Sequence, residues 1–327
     1  MERNHQIYPV MALACLIYLA SAAFAQAQTS AWSGEGWETD FSQSSIDLSE
    51  IISGGPPRDG IPSIDNPRFE SADAITDIDG REPVIQFPIE GDSRAYPLRV
   101  LIWHEIVNDV VDSVPVAVTY CPLCNAAIVF DRRLDGQTLE FGTTGKLRHS
   151  DLIMYDRTTQ SWWQQFSGDA VVGALTGRDL KKMPSRIVSF EKFRQDNPSG
   201  QVLVPNDPNF RRYGDNPYQN YDTAERPFLF QGELPDDIAA MAHVVVVDTG
   251  AEPIIVSLER VRKSAYERNG YTVSYQDGVA SALDAHSIEQ GRDIGTVVVT
   301  KDGADIVHDL TFAFVAHVFY PDVPIIQ

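Results

Sequence analysis

From Glu82 onward the chain is written in short apolar runs separated by turn residues: Pro83 to Ile89, then Glu90-Gly91-Asp92, then Arg94 to Leu101. Runs of this length suit strands joined by tight turns better than helices. Asp135-Gly136, between the alternating runs Asn125 to Arg132 and Thr138 to Phe141, is a hairpin signal, because two-residue turns place both central residues at positive φ. Helix signals are few: Ser189 to Gln195, Pro235 to Met241 and Leu258 to Arg268, with Trp103 to Val111 weakly helical. Val84 to Leu98 and Val244 to Leu258 both read strand, turn, strand, and Thr119 to Asp131 and Val273 to Asp284 follow at comparable offsets. The expected fold class is therefore α+β and β-rich, with two loosely similar strand-rich halves and few short helices.

The first 25 residues carry Arg3 and His5, an apolar stretch from Ile7 to about Ala20, and the small-x-small run Ala23-Phe24-Ala25. This is the pattern of a signal peptide over residues 1–25, and the apolar run is shorter than the ~20 residues that span a bilayer. The expected product is exported to the periplasm or the exterior, with no integral membrane segment after cleavage. Residues 26–60, rich in Ser, Gln and Gly with Trp32, Trp37 and Phe41 between, read as an extended arm docking through its aromatics. Residues 61–235 form the expected main domain, and 236–327 a second half packed on it. Pro205 to Pro227, with four prolines and three tyrosines, reads as a long surface loop.

A formal charge of −20 argues against nucleic acid as a partner, and favours cations or basic molecules. Cys121 and Cys124, in CPLC directly after the apolar run Val114 to Tyr120, are the only cysteines once Cys15 leaves with the leader. Thioredoxin-type CxxC pairs open an amphipathic helix, whereas here AIVFD and a hairpin follow, so the pair sits in a turn between strands, as in a metal knuckle. Further ligands would come from Trp103-His104-Glu105 and from Arg148-His149-Ser150-Asp151 with Met154. Thiolate, imidazole and thioether together favour a soft ion, copper or zinc. A disulfide and two free thiols are the other possible states.

Other motifs fail. Asn108 stands where HExxH needs its second His, Gly142 to Lys146 is too short for a phosphate loop, and no GxSxG elbow is present.

The segments DGIPSIDNPRF (Asp59 to Phe69), AYPLRVLIWHEIVND (Ala95 to Asp109), VAVTYCPLCNAAIVFDR (Val116 to Arg132) and SDLIMYDRTTQSWWQQFSGDAVVG (Ser150 to Gly173) resemble an exported bacterial and archaeal family, domain of unknown function 3179. The likeness runs from about Trp37 to Asp322. It implies no established activity. Some members of the family are selenoproteins and others keep only the first cysteine, which gives Cys121 the larger role and Cys124 that of partner. The chain departs from the family pattern at His317, where a Trp is expected.

Three functional expectations follow. The first is a thiol- or soft-metal-based redox or metal-handling protein, an oxidoreductase with an unknown redox partner if it is an enzyme, using Cys121, Cys124, His104 and Glu105, with His149 and Met154 as further metal ligands. The alternative is a small-ligand or carbohydrate module lined by Trp162, Trp163, Tyr213, Tyr218 and Tyr221, its cysteines a structural disulfide. The third is a hydrolase with Cys121 as nucleophile, His104 as base and Glu105 as orienter.

Overall fold

The computed structural model describes residues 28–89 and 92–327, so the leader and the Glu90-Gly91 turn lie outside the described residues. Among the described residues the chain is strand-rich, 39% strand against 16% helix, and five of its six small sheets are disposed like the blades of a propeller. One sheet is the up-and-down run Ile106–Val111, Val114–Cys121 and Ala126–Asp131, closed at its edge by Lys181–Met183. A second has the order Ile51–Ser53, Phe141–Arg148, Asp151–Asp156, Trp162–Gln164, Ala170–Val172. The central strands of both are buried on both faces, which is why their sequences are nearly continuous apolar runs.

Two further sheets share one plan. The antiparallel hairpin Pro83–Ile89 and Asp92–Pro97 is flanked by antiparallel Arg186–Ser189 and parallel Gln201–Val204, with Arg68–Ser71 beyond. The hairpin His243–Val247 and Ile254–Ser257 is flanked in the same way by antiparallel His308–Phe312 and parallel Ile325–Ile326. A short helix follows each hairpin, Leu98–His104 and Leu258–Lys263, and another follows each antiparallel flank, Phe190–Asp196 and Ala313–Phe319. Tyr266–Arg268, Tyr271–Gln276, Thr296–Lys301 and Ala304–Asp305 form the fifth sheet.

Several local readings shift. Arg94 to Leu101 is a strand only to Pro97. The helix then runs to His104 and ends at Glu105, so WHEIVNDVV is a helix end followed by the strand Ile106–Val111. Pro235 to Met241 is not helical, and the third helix stops at Lys263, with Tyr266–Arg268 turning into a strand. Ser189 and Ser257 cap their helices by accepting from Lys192 N and Arg260 N. The Asp135-Gly136 turn forms between Arg133–Leu134 and Gln137–Thr138, with φ of 51° and 79°.

Upstream, a helix runs through residues 28–34, and Trp32, Trp37 and Phe41 surround the buried Trp162 at centroid distances of 4.9, 5.1 and 5.2 Å. Ile51–Ser53 then pairs with Phe141–Arg148, and Glu35 meets the buried Lys146 at 2.7 Å. One apolar core runs unbroken from Ile64 to Ala316, through both halves of the chain. Among the described residues, no helix is long and apolar enough to cross a membrane.

Candidate metal centre

The CPLC segment is the turn that joins Val114–Cys121 to Ala126–Asp131, with Cys121 paired to Ala126. Cys124 N donates to Cys121 O at 3.2 Å, and Asn125 takes φ 50° to close the bend. Its carbonyls are held from outside: Thr311 Oγ1 donates to Cys124 O at 2.7 Å, and Tyr221 Oη to Leu123 O at 2.9 Å. Both cysteines are buried and unbridged.

The third member arrives from the neighbouring sheet. Phe141–Arg148 and Asp151–Asp156 are joined by the two-residue turn His149-Ser150, with φ of 55° and 64°. It delivers the fully buried Asp151 beside the sulfurs, so that one ligand atom each from Cys121, Cys124 and Asp151 lies within 4.8 Å of the other two. These three groups could hold a metal ion. Two sulfurs on a tetrahedral ion with metal–sulfur bonds near 2.3 Å stand about 3.8 Å apart, a separation inside that limit. Asp151 Oδ2 accepts from Gln164 Nε2 at 2.5 Å and Phe166 N at 2.8 Å, while Oδ1 is buried without a hydrogen-bond partner.

Electrostatically the cluster is all acid. Burial pushes both thiols up, and Asp151 pushes them further. Burial raises Asp151 to about 6, and burial with the Asp151 charge raises Glu105 to about 8. None of the principal influences on these four groups is a Lys, Arg or His. Glu105 sits next to the cluster, where its charge opposes ionisation of Cys121.

The two histidines expected here are engaged elsewhere. His104 Nδ1 lies 2.7 Å from Pro62 O and Nε2 2.8 Å from Tyr213 Oη. A carbonyl only accepts, so Nδ1 carries the proton, and the neutral ring accepts from the tyrosine through Nε2. Burial and Arg211 both depress its pKa. With both nitrogens occupied, His104 is a strut between helix and loop, unfit as the base for Cys121. His149 points the other way, 3.6 Å from Glu50 and against Phe230 and Phe319. Met154 is a buried core residue whose register partner is Trp163. The ligand this segment brings to the sulfurs is Asp151, between the two residues that the sequence suggested. Its sequence signal is a lone carboxylate opening the otherwise apolar strand run Leu152 to Tyr155, directly after a turn.

The ligand groove expected from aromatic residues does not form as a set. Trp162 and Trp163 are fully buried, and Tyr221 is a buried prop for the CPLC turn. Of the five, Tyr213 lines an open cleft.

Fold and site together define a propeller-like β protein with a sealed thiol–carboxylate cluster between two sheets. The chain belongs to the family described as protein of unknown function (DUF3179), whose model matches residues 58–323, a span that takes in all four segments of the resemblance. No curated protein and no solved structure matches the chain significantly.

Proposed function

We propose that this is an exported metal-binding protein that holds a divalent ion of borderline softness, with zinc the best fit, on Cys121, Cys124 and Asp151. The carrying observation is a fully buried carboxylate with one oxygen left to the two buried thiols beside it, and no Lys, Arg or His among the principal influences on the three groups. An unpaired buried acid calls for a counter-charge, and a dication supplies it. A carboxylate in place of imidazole and thioether moves the preference away from Cu(I), since its hard oxygen suits a divalent ion better than that soft one. Metal uptake displaces thiol protons, so affinity rises with pH. The bound ion would hold two sheets together and keep the thiols from oxidation, a metal-handling or metal-stabilised role.

A dithiol–disulfide couple is the second reading, favoured by Asp151 standing where it can take a thiol proton. Access counts against it, because Cys121 is 2% exposed and Cys124 0%, whereas thiol exchange needs an approaching sulfur and an ion can be enclosed as the chain folds. Elemental analysis of the purified protein, a free-thiol count and Co(II) substitution separate the two. The expected result is one ion per chain and a thiolate-to-cobalt absorption band, with Asp151→Asn weakening binding by at least about tenfold and Cys121→Ser removing the band. Metal-free protein whose thiols close reversibly to a disulfide, with no cobalt band, would sink the metal reading and favour the redox one.

A further inference from the structure

A cleft of about 960 Å³ opens on the far side of the helix Leu98–His104, between that helix, the strand Arg68–Ser71 and the loop that begins at Pro205. Its wall is aromatic. Phe210 is 41% exposed, one of three large hydrophobic side chains standing out among the described residues, and the His104 ring lies near both Phe210 and Tyr213, with centroids 5.7 and 6.0 Å away and Tyr213 Oη on its Nε2. The Arg211 guanidinium lies over the Phe210 ring at 4.2 Å and over Trp103 at 5.7 Å.

Two donors in this wall, Trp103 Nε1 and Arg211 Nε, are buried without an acceptor. Both can only donate, so what satisfies them must be an acceptor. Arg211 forms no ion pair among the described residues, whereas Arg212 meets Asp215 and Arg99 is shared between Asp77 and the buried Glu82, so the unpaired guanidinium favours a negative acceptor. We propose that this cleft binds a small aromatic carboxylate, its ring against the Phe210 and Tyr213 wall and its carboxylate on Trp103 Nε1 and the Arg211 guanidinium. Arginine matches a carboxylate's two oxygens, and a flat ring replaces water on the aromatic faces. The inference is independent of the metal centre, which uses none of these residues.

The test titrates the purified protein with benzoate, benzamide and inorganic phosphate, read by tryptophan fluorescence and by calorimetry. Benzoate is expected to bind saturably in the millimolar range or below, with benzamide and phosphate each weaker by about tenfold or more. Arg211→Gln removes the charge and Trp103→Phe removes only the indole donor, and each should weaken benzoate by about tenfold while the far-UV circular dichroism spectrum and thermal midpoint stay close to those of the wild type. The unchanged spectrum and midpoint show that each variant is folded. Absence of saturable benzoate binding, equal binding of benzamide or phosphate, or unaltered affinity in both variants overturns the proposal.

Discussion

Glu105, Asn125, His149 and Ser150 all adopt positive φ, between 50° and 64°, and all four adjoin the thiol–carboxylate cluster. Left-handed backbone outside glycine costs about 1 kcal/mol or more and persists where the surroundings impose it. Here the strain aims side chains: the His149-Ser150 turn throws Asp151 inward and His149 outward. His149→Gly should therefore leave metal content unchanged and shift stability by no more than about 1 kcal/mol, since relief of strain offsets lost contacts; elemental analysis and a denaturant melt check both. The cysteine pair was legible in the sequence because spacing alone puts it in a turn between strands. Asp151 was not, because its partnership depends on two sheets meeting, and residue type drew attention to the imidazole and thioether on either side. A second titratable residue, His243, is buried with Nε2 unpartnered, and burial reinforced by Arg292 and Arg262 depresses its pKa to about 3. Its folded-state pKa lies below the unfolded value, so its contribution to stability is complete above about pH 6.5 and declines as pH falls toward 3. Between pH 6.5 and 5 the loss is on the order of 2 kcal/mol, and His243→Gln should flatten that part of the pH–stability curve.

At the scale of elements, the segment preceding the matched family region behaves as part of the structure. Trp32, Trp37 and Phe41 enclose Trp162, and Ile51–Ser53 gives the strand Phe141–Arg148 a neighbour. Trp37→Ala removes a ring that touches both Trp162 and Tyr155, and should cost about 3 kcal/mol and expose residues 28–58 to protease, as read by a melt and by mass spectrometry of the digest. Strand content and the Asp-Gly hairpin could be read locally because turn chemistry and apolar run length are local. The helix Leu98–His104 could not. Apart from Arg99 and His104 its residues are Leu, Val, Ile and Trp, and burial on the sheet decides their conformation over β-propensity.

For the whole molecule, the sheets are not independent bodies. The Lys182–Asp309 pair, at 2.8 Å and largely buried, joins the edge of the cysteine sheet to the strand His308–Phe312, and the apolar core passes beneath it. Lys182→Met leaves Asp309 without its charge partner and should cost about 3 kcal/mol, lowering the midpoint of a single calorimetric transition without splitting it. Two separate transitions in the wild type would mean that the halves fold apart. The shared plan was faintly visible in Val84 to Leu98 and Val244 to Leu258. The parallel outer strands that complete it, Gln201–Val204 and Ile325–Ile326, lie too far along the chain for any local pattern to reveal.

The bond from Thr311 to the carbonyl of Cys124 spans 187 positions of the chain. Synthesis proceeds from the amino end, so both sulfurs emerge long before the hydroxyl that clamps their bend. During that interval they stand open to whatever ion, thiol or oxidant the surroundings offer. An ion captured then would be shut in when the last strands arrive, so that the state of the centre would record the conditions of its own assembly.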